Sequence, residues 1–229
     1  MDTVKVITPS SICSSHPPVP KKIMSSSAVY ISCRNEIPVC GSYDESNNVK
    51  ECFSLSLISN EWTKFANLRS PRANHSLTYF PDHEMLVAIS GKTAELYKLG
   101  DPTWADWTVP EQRQIYGYCS FYIYIVGGGS FHNAQYNYVL RMDVNNIIQP
   151  TWQAMSPMPE KKSYAACTLH GDIFYVAGGS NSSETAYSYN ITKDNWTDIS
   201  FLVYGREKAG LSVIGGVLTA FGGRIWITS

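Results

Sequence analysis

Ile173-Phe-Tyr-Val-Ala-Gly178-Gly179, then Ala186-Tyr-Ser-Tyr-Asn190, then Trp196-Thr-Asp-Ile199 is the stretch that decides the fold. A β-branched and aromatic run closes on a glycine doublet, a tyrosine-bearing run follows, and a third run opens on tryptophan. Each is strand-length and bounded by turn residues, which is an all-β signature. The series recurs upstream as Ile123-Tyr-Ile-Val-Gly127-Gly128, Tyr138-Val-Leu-Arg-Met-Asp143 and Trp152-Gln-Ala-Met155. It begins again downstream at Leu218-Thr-Ala-Phe-Gly222-Gly223. Trp62, Trp107, Trp152 and Trp196 are spaced by 45, 45 and 44 residues. A fixed period of this size predicts stacked copies of one supersecondary unit, each needing its neighbours to bury its apolar faces.

Working outward, His170-Gly171-Asp172 reads as the tight turn between the first and second strands of its unit, with glycine supplying positive φ. Aligned on the tryptophans, the units run approximately 25–72, 73–113, 114–161, 162–206 and a partial 207–229. The first two depart from the doublet, with Cys40-Gly41-Ser42 and Ile89-Ser90-Gly91 in its place. The second also offers two tryptophans, Trp104 and Trp107, of which the period selects Trp107. The fifth reaches Gly222-Gly223 without its tyrosine and tryptophan strands. Residues 1–24 read as a flexible Ser/Pro-rich segment, with a candidate closing strand at 4–7.

Composition narrows the function. Hydrophobic residues make up 44% of the 229 and aromatics 13%, enough for a buried core, while only 16% are charged and the net charge is −1. That balance gives no electrostatic reason to expect nucleic acid or an anionic membrane as partner. The N-terminus lacks the apolar core of a signal peptide, and the uncharged stretch 211–223 is too short to cross a bilayer. A cytoplasmic location is therefore expected. The six cysteines form no C-x-x-C pair and read as buried thiols in a reducing compartment, with a Cys33–Cys40 or Cys40–Cys52 bridge left open. Four N-x-S/T sequons, at Asn74, Asn181, Asn190 and Asn195, are read as chance.

The glycine doublets, the third-strand tyrosines, the tryptophans about 17 to 25 residues after the doublet and Leu68-Arg-Ser-Pro71-Arg72 resemble kelch repeats from about Ser25 onward. The resemblance implies an all-β, kelch-type β-propeller of about four complete four-stranded blades plus a partial fifth, in an open or incomplete ring. It places each doublet where neighbouring backbones crowd and the aromatic residues between blades. Three accounts of the partial fifth unit stay open: a truncated product, closure by Val4-Lys-Val-Ile7, or completion by another chain.

Catalytic chemistry finds little support in the residues. The histidines are scattered, and only His75 and His132 fall where one loop face would gather them, half of a metal site at most. There is no G-x-S-x-G elbow, no P-loop and no S-x-D-x-G-x-x-W repeat, and carboxylates sit in turns. No catalytic residue, metal or cofactor is expected. Resemblance to kelch adaptors instead implies a protein-interaction face made by the fourth-to-first and second-to-third strand connections. Carried onto this sequence, its residues are Arg72, Asn74, His75, Tyr116, His132, Ser163, Tyr164, Arg206 and Lys208. This basic and aromatic mixture suits an acidic peptide segment of a protein partner. A substrate-recognition role in a ubiquitin-ligase adaptor is one form of the expectation, although the BTB domain of such adaptors is not in this sequence. The alternatives are a small-molecule kelch enzyme of the sugar-modifying or oxidase type, and a truncated nonfunctional fragment.

Overall fold

A computed structural model describes residues 4–6, 14–91, 93–107, 109, 119–121, 124–129, 135–143, 150–180, 184–199 and 202–225. Among them the repeat becomes four antiparallel four-stranded sheets, with one 3-10 turn at Pro81–His83 and no α-helix. The first blade comprises β3 (Ser27–Ala28), β4 (Glu36–Tyr43), β5 (Asn48–Ser56) and β6 (Glu61–Phe65). The second comprises β7 (Ser76–Phe80), β8 (Met85–Ser90), β9 (Thr93–Lys98) and β10 (Ala105–Trp107). The third is β11 (Cys119–Phe121), β12 (Tyr124–Val126), β13 (Val139–Met142) and β14 (Trp152–Met155). The fourth is β15 (Ala166–His170), β16 (Ile173–Ala177), β17 (Ala186–Asn190) and β18 (Asn195–Ile199). Every blade is a meander in chain order, the arrangement that short turns between consecutive strands dictate. The fifth unit contributes a hairpin, β20 (Gly210–Ile214) with β21 (Val217–Phe221), and a short pair, β19 (Arg206–Glu207) with β22 (Arg224–Ile225). No helix among the described residues is long and apolar enough to cross a membrane.

Two compact units are formed, Met1–Val109 and Pro110–Ser229. In the first, the seam between blades one and two is closed by Ile31, Cys40, Cys52 and Leu68 from one side and Leu77, Tyr79, Leu86, Ala88, Tyr97 and Trp104 from the other. In the second, Tyr124, Val126, Val139 and Met158 meet Phe174, Val176 and Tyr189, with Trp196 packed alongside. The next seam is thinner: Ala166, Ala177 and Ala186 against Leu211, Leu218 and Ala220. The alternation of each strand sends one set of side chains to each neighbouring blade.

The tryptophans show how the blades are tied. Trp196 donates its indole N–H to the carbonyl of Ser156, the first residue after β14 (2.9 Å). In the second blade this role belongs to Trp104, whose Nε1 donates to Ala66 O, the first residue after β6 (2.8 Å). Leu55 stands opposite Trp62, and Tyr189 opposite Trp196. With Leu96 opposite Ala105, the next position puts Trp104 beside Tyr97, at 5.2 Å between ring centroids. The period's choice of Trp107 is therefore corrected: spacing in the chain varies with loop length, whereas register across the strands does not.

Two further expectations change. Cys40 and Cys52, directly opposite on β4 and β5 with Cα atoms 4.2 Å apart, form a disulfide. Cys167 is also disulfide-bonded, so a uniform set of reduced thiols is not what the structure holds; Cys33 is free and exposed. Strand alternation explains the first bridge, since residues twelve apart around a hairpin meet as a cross-strand pair. The N-terminal segment is likewise not a free tail over its described part. Val4–Val6 (β1) pairs with Ser14–His16 (β2). The following residues lean on blade one: Pro17 O accepts from Trp62 Nε1 (2.9 Å), and Lys21 pairs with Glu51 (3.2 Å). Met24 O accepts from the Tyr43 N–H (2.8 Å).

Candidate functional site

Three lead-in triplets carry most of the predicted site: Arg72-Ala73-Asn74, Lys162-Ser163-Tyr164 and Arg206-Glu207-Lys208. They occupy the same place ahead of the second, fourth and fifth units, and their backbones behave alike. The carbonyl of the first residue accepts an N–H from the glycine turn of the preceding blade: Ser42 to Arg72 (2.9 Å), Gly128 to Lys162 (2.8 Å) and Gly179 to Arg206 (2.9 Å). Such close approach explains the glycines. A Cβ at Gly41, Gly127 or Gly178 would stand 2.4, 2.7 or 2.2 Å from those same carbonyl oxygens. The third residue of each triplet is left-handed without being glycine: Asn74 at φ 50°, Tyr164 at 55° and Lys208 at 55°. Ser25 at φ 59° is the counterpart ahead of blade one, and its carbonyl accepts the Asn74 N–H (2.9 Å). A non-glycine residue held there costs about 1 kcal/mol or more, and such positions cluster where side chains are aimed for use.

The first cation of the triplet turns inward. Arg72 is 3% exposed, and its Nε and Nη2 donate to Glu95 Oε1 at 3.2 and 2.9 Å. Its Nη1 donates to the Thr93 carbonyl and hydroxyl at 3.0 and 2.9 Å. Glu95, fully buried, also accepts the backbone N–H groups of Arg69 and Ser70. A guanidinium committed to a carboxylate within its own fold is not available to a partner, so Arg72 is corrected from binding residue to internal tie. Lys162 repeats the design: its Nζ donates to Gly178 O (3.0 Å) and Thr185 Oγ1 (2.5 Å), with Glu160 at 3.4 Å and the Tyr187 ring at 5.3 Å. Burial pulls its pKa below the usual lysine value, against the pull of Glu160.

His75 is buried, and neither ring nitrogen has a hydrogen-bond partner among the described residues. Burial, and secondarily the Arg72 guanidinium, lower its pKa to about 3. It packs against the Gly41 turn, where an added Cβ would stand 2.8 Å from His75 Cε1. Ser163 is 5% exposed, and its carbonyl accepts the Ser180 N–H (2.9 Å). His75 and Ser163 are thus inside the fold rather than on an open face. Tyr116 and His132 lie outside the described residues.

In the second unit the structure brings three predicted residues together. Lys208 is exposed, and its Nζ lies 4.7 Å from the centroid of the half-buried Tyr164 ring. The Lys208 N–H donates to Tyr164 O (2.9 Å), so the two left-handed residues are tied backbone to backbone. Arg206, half-buried, donates from Nη1 to Gly222 O (3.1 Å). Beneath them Glu207 accepts from the Ser180 hydroxyl (2.9 Å). Asn74 holds the equivalent position in the first unit, its N–H bonded to Ser25 O; Met24 and Tyr43, joined to each other backbone to backbone, are 51% and 37% exposed. Sequence reading missed Ser25 and Glu95. The alternation of Glu95 within Thr93–Lys98 marks it as facing a seam, yet nothing local reveals that a cation awaits it. Among the described residues, no group of three or more His, Cys, Asp or Glu converges as a metal site.

Residues 161–200 match the Kelch motif family model. The chain is 26% identical over 207 residues to Kelch-like protein 35 of Mus musculus, covering 85% of this chain and 34% of that protein. It is 27% identical over 128 residues to an F-box/kelch-repeat protein of Arabidopsis thaliana, covering 49% and 30%. The chain thus spans about a third of the length of these curated relatives. The solved structure of YjhT superposes with a TM-score of 0.80 at 11% identity, over 93% of this chain and 81% of that one, which supports the propeller fold alone.

Proposed function

We propose that this kelch-repeat chain is a noncatalytic protein-interaction module whose lead-in triplets grip an acidic peptide segment of a partner. One observation carries the reading. The third residue of each triplet is held left-handed at a repeated position, and in the second unit this sets Lys208 against Tyr164 beside Arg206. A stacked lysine is ordered while its ammonium keeps free hydrogen-bonding directions, which suits a carboxylate. The inward cations Arg72 and Lys162 fix the backbone that presents these groups. By this reading the chain has no enzymatic activity, takes no nucleic acid and contacts no membrane. An adaptor role for a ubiquitin ligase would require a ligase-docking element, and the F-box and Kelch-like names of its relatives are compatible with that assembly.

Fluorescence polarisation with a labelled Glu-rich peptide tests the site. Lys208→Ala and Tyr164→Ala should each weaken binding about 5- to 10-fold, the range expected for one desolvated charge or aromatic contact. Affinity should also fall as salt rises from 50 to 300 mM. Undiminished binding by the Tyr164→Ala, Lys208→Ala double variant would remove the proposal.

We propose a cytoplasmic location for the chain, checked by mass mapping of alkylated protein isolated from its source. Recovery of Cys40 and Cys52 as alkylated thiols is the result expected in a reducing compartment, and recovery of the Cys40–Cys52 bridge would overturn that location, because bridges persist in oxidising compartments.

A further inference from the structure

We propose that blade one carries a binding site for a small, neutral, largely apolar molecule with one hydroxyl or carbonyl group, held beneath the N-terminal segment. Its floor is one face of the sheet. Ile37, Leu55 and Trp62 stand in a row across β4, β5 and β6, and Val39 stands opposite Ala28 on β3. Strand alternation sends these side chains away from Cys40 and Cys52, which face blade two.

The roof is a stretch of the N-terminal segment fastened at both ends. Trp62 Nε1 donates to Pro17 O (2.9 Å), Lys21 pairs with Glu51 (3.2 Å), and the Tyr43 N–H donates to Met24 O (2.8 Å). Between these ties Val19 and Ile23 face a cavity of about 340 Å³ that remains between roof and floor. Packed interiors leave few voids larger than a water molecule, whereas volumes of this order are ordinary for small-molecule sites. At about 30 Å³ per heavy atom, the share of a water molecule in the liquid, the space takes on the order of ten heavy atoms.

The chemistry of the wall sets what enters. No charged side chain is among the described residues that line the cavity, so an ion would lose its water with nothing in exchange. Two polar groups of the wall are already committed: the Trp62 N–H donates to Pro17 O, and Ser27 Oγ accepts the Leu77 N–H (3.0 Å). Ser26 differs. It belongs to the same wall, and its buried Oγ has no hydrogen-bond partner among the described residues. A buried hydroxyl left unpaired is costly, and a ligand oxygen removes that cost. A lone hydroxyl in a hydrocarbon wall is a poor seat for water, which needs several polar partners. It is a sufficient anchor for a molecule whose remaining surface is apolar.

The probe is 1-octanol, with octanoate as its charged counterpart, titrated calorimetrically into the full chain near neutral pH. 1-Octanol should bind saturably, one molecule per chain, and octanoate at least about tenfold more weakly, because its carboxylate meets no cation. Ser26→Ala should weaken 1-octanol binding about 2- to 10-fold, the net worth of one hydrogen bond. Ala28→Phe, which adds a ring to the cavity wall, should weaken it at least about tenfold by filling the space. A methyl NMR titration of the native chain locates the ligand without any substitution. The Ile37 and Leu55 signals should move with saturation, whereas that of Leu169, exposed on β15, should not. Absent or non-saturable binding, equal affinity for octanoate, undiminished binding in Ser26→Ala or Ala28→Phe, or shifts at Leu169 without shifts at Leu55 overturns the proposal.

Discussion

At the residue scale, glycine and histidine carry the sharpest consequences. Gly178 combines φ +70° with an approach that would put a Cβ 2.2 Å from Arg206 O. Gly178→Ala should lower stability by more than about 2 kcal/mol in urea titration, because backbone, not a movable side chain, opposes it. Gly171 has φ +57° with nothing within 4 Å. Gly171→Asn should therefore cost less than about 1 kcal/mol, since asparagine tolerates the left-handed region. His75 makes stability depend on pH. Its folded pKa, about 3, lies below the unfolded value near 6.5, so the unfolded chain takes up the proton first. The contribution is intact above pH 6.5 and is lost as pH falls toward 3, at up to about 1.4 kcal/mol per pH unit. Urea midpoints between pH 7 and 5 should fall less in His75→Phe than in the native chain.

At the element scale, the lead-in connections are held by buried ions and the first blade by a bridge. Glu95 accepts four hydrogen bonds from Arg69, Ser70 and Arg72. Glu95→Ala leaves the Arg72 guanidinium buried without its carboxylate and should cost about 3–5 kcal/mol by denaturation. Cys40 and Cys52 close a short loop across β4 and β5. Cys40→Ala should cost about 2–3 kcal/mol in oxidised protein, with the difference shrinking when both proteins are measured in dithiothreitol. Strand identity was legible from alternation and glycine placement, as β16, β17 and β18 show. Which tryptophan of Trp104 and Trp107 ties blade two to blade one was not, because loop lengths shift chain spacing without shifting register.

At the scale of the whole molecule, the sequence by itself determined that the protein is a series of repeated four-stranded β units. Periodic glycine doublets, tyrosines and tryptophans express the same local requirement in every copy: a strand that ends where backbones crowd, and a ring that fills a seam. It also located the lead-in positions, of which Tyr164, Arg206 and Lys208 come together. Only the tertiary structure decided which cations remain available. Arg72 and Lys162 look like binding residues in the chain, yet they are consumed by Glu95, Thr93, Gly178 and Thr185. The same holds for the N-terminal segment, which composition describes as a tether and the Trp62–Pro17 bond ties to blade one. The physical reason is one of range. Propensity and periodicity report contacts a few residues apart, whereas a buried charge or an indole hydrogen bond depends on partners 16 to 45 residues away that only folding delivers.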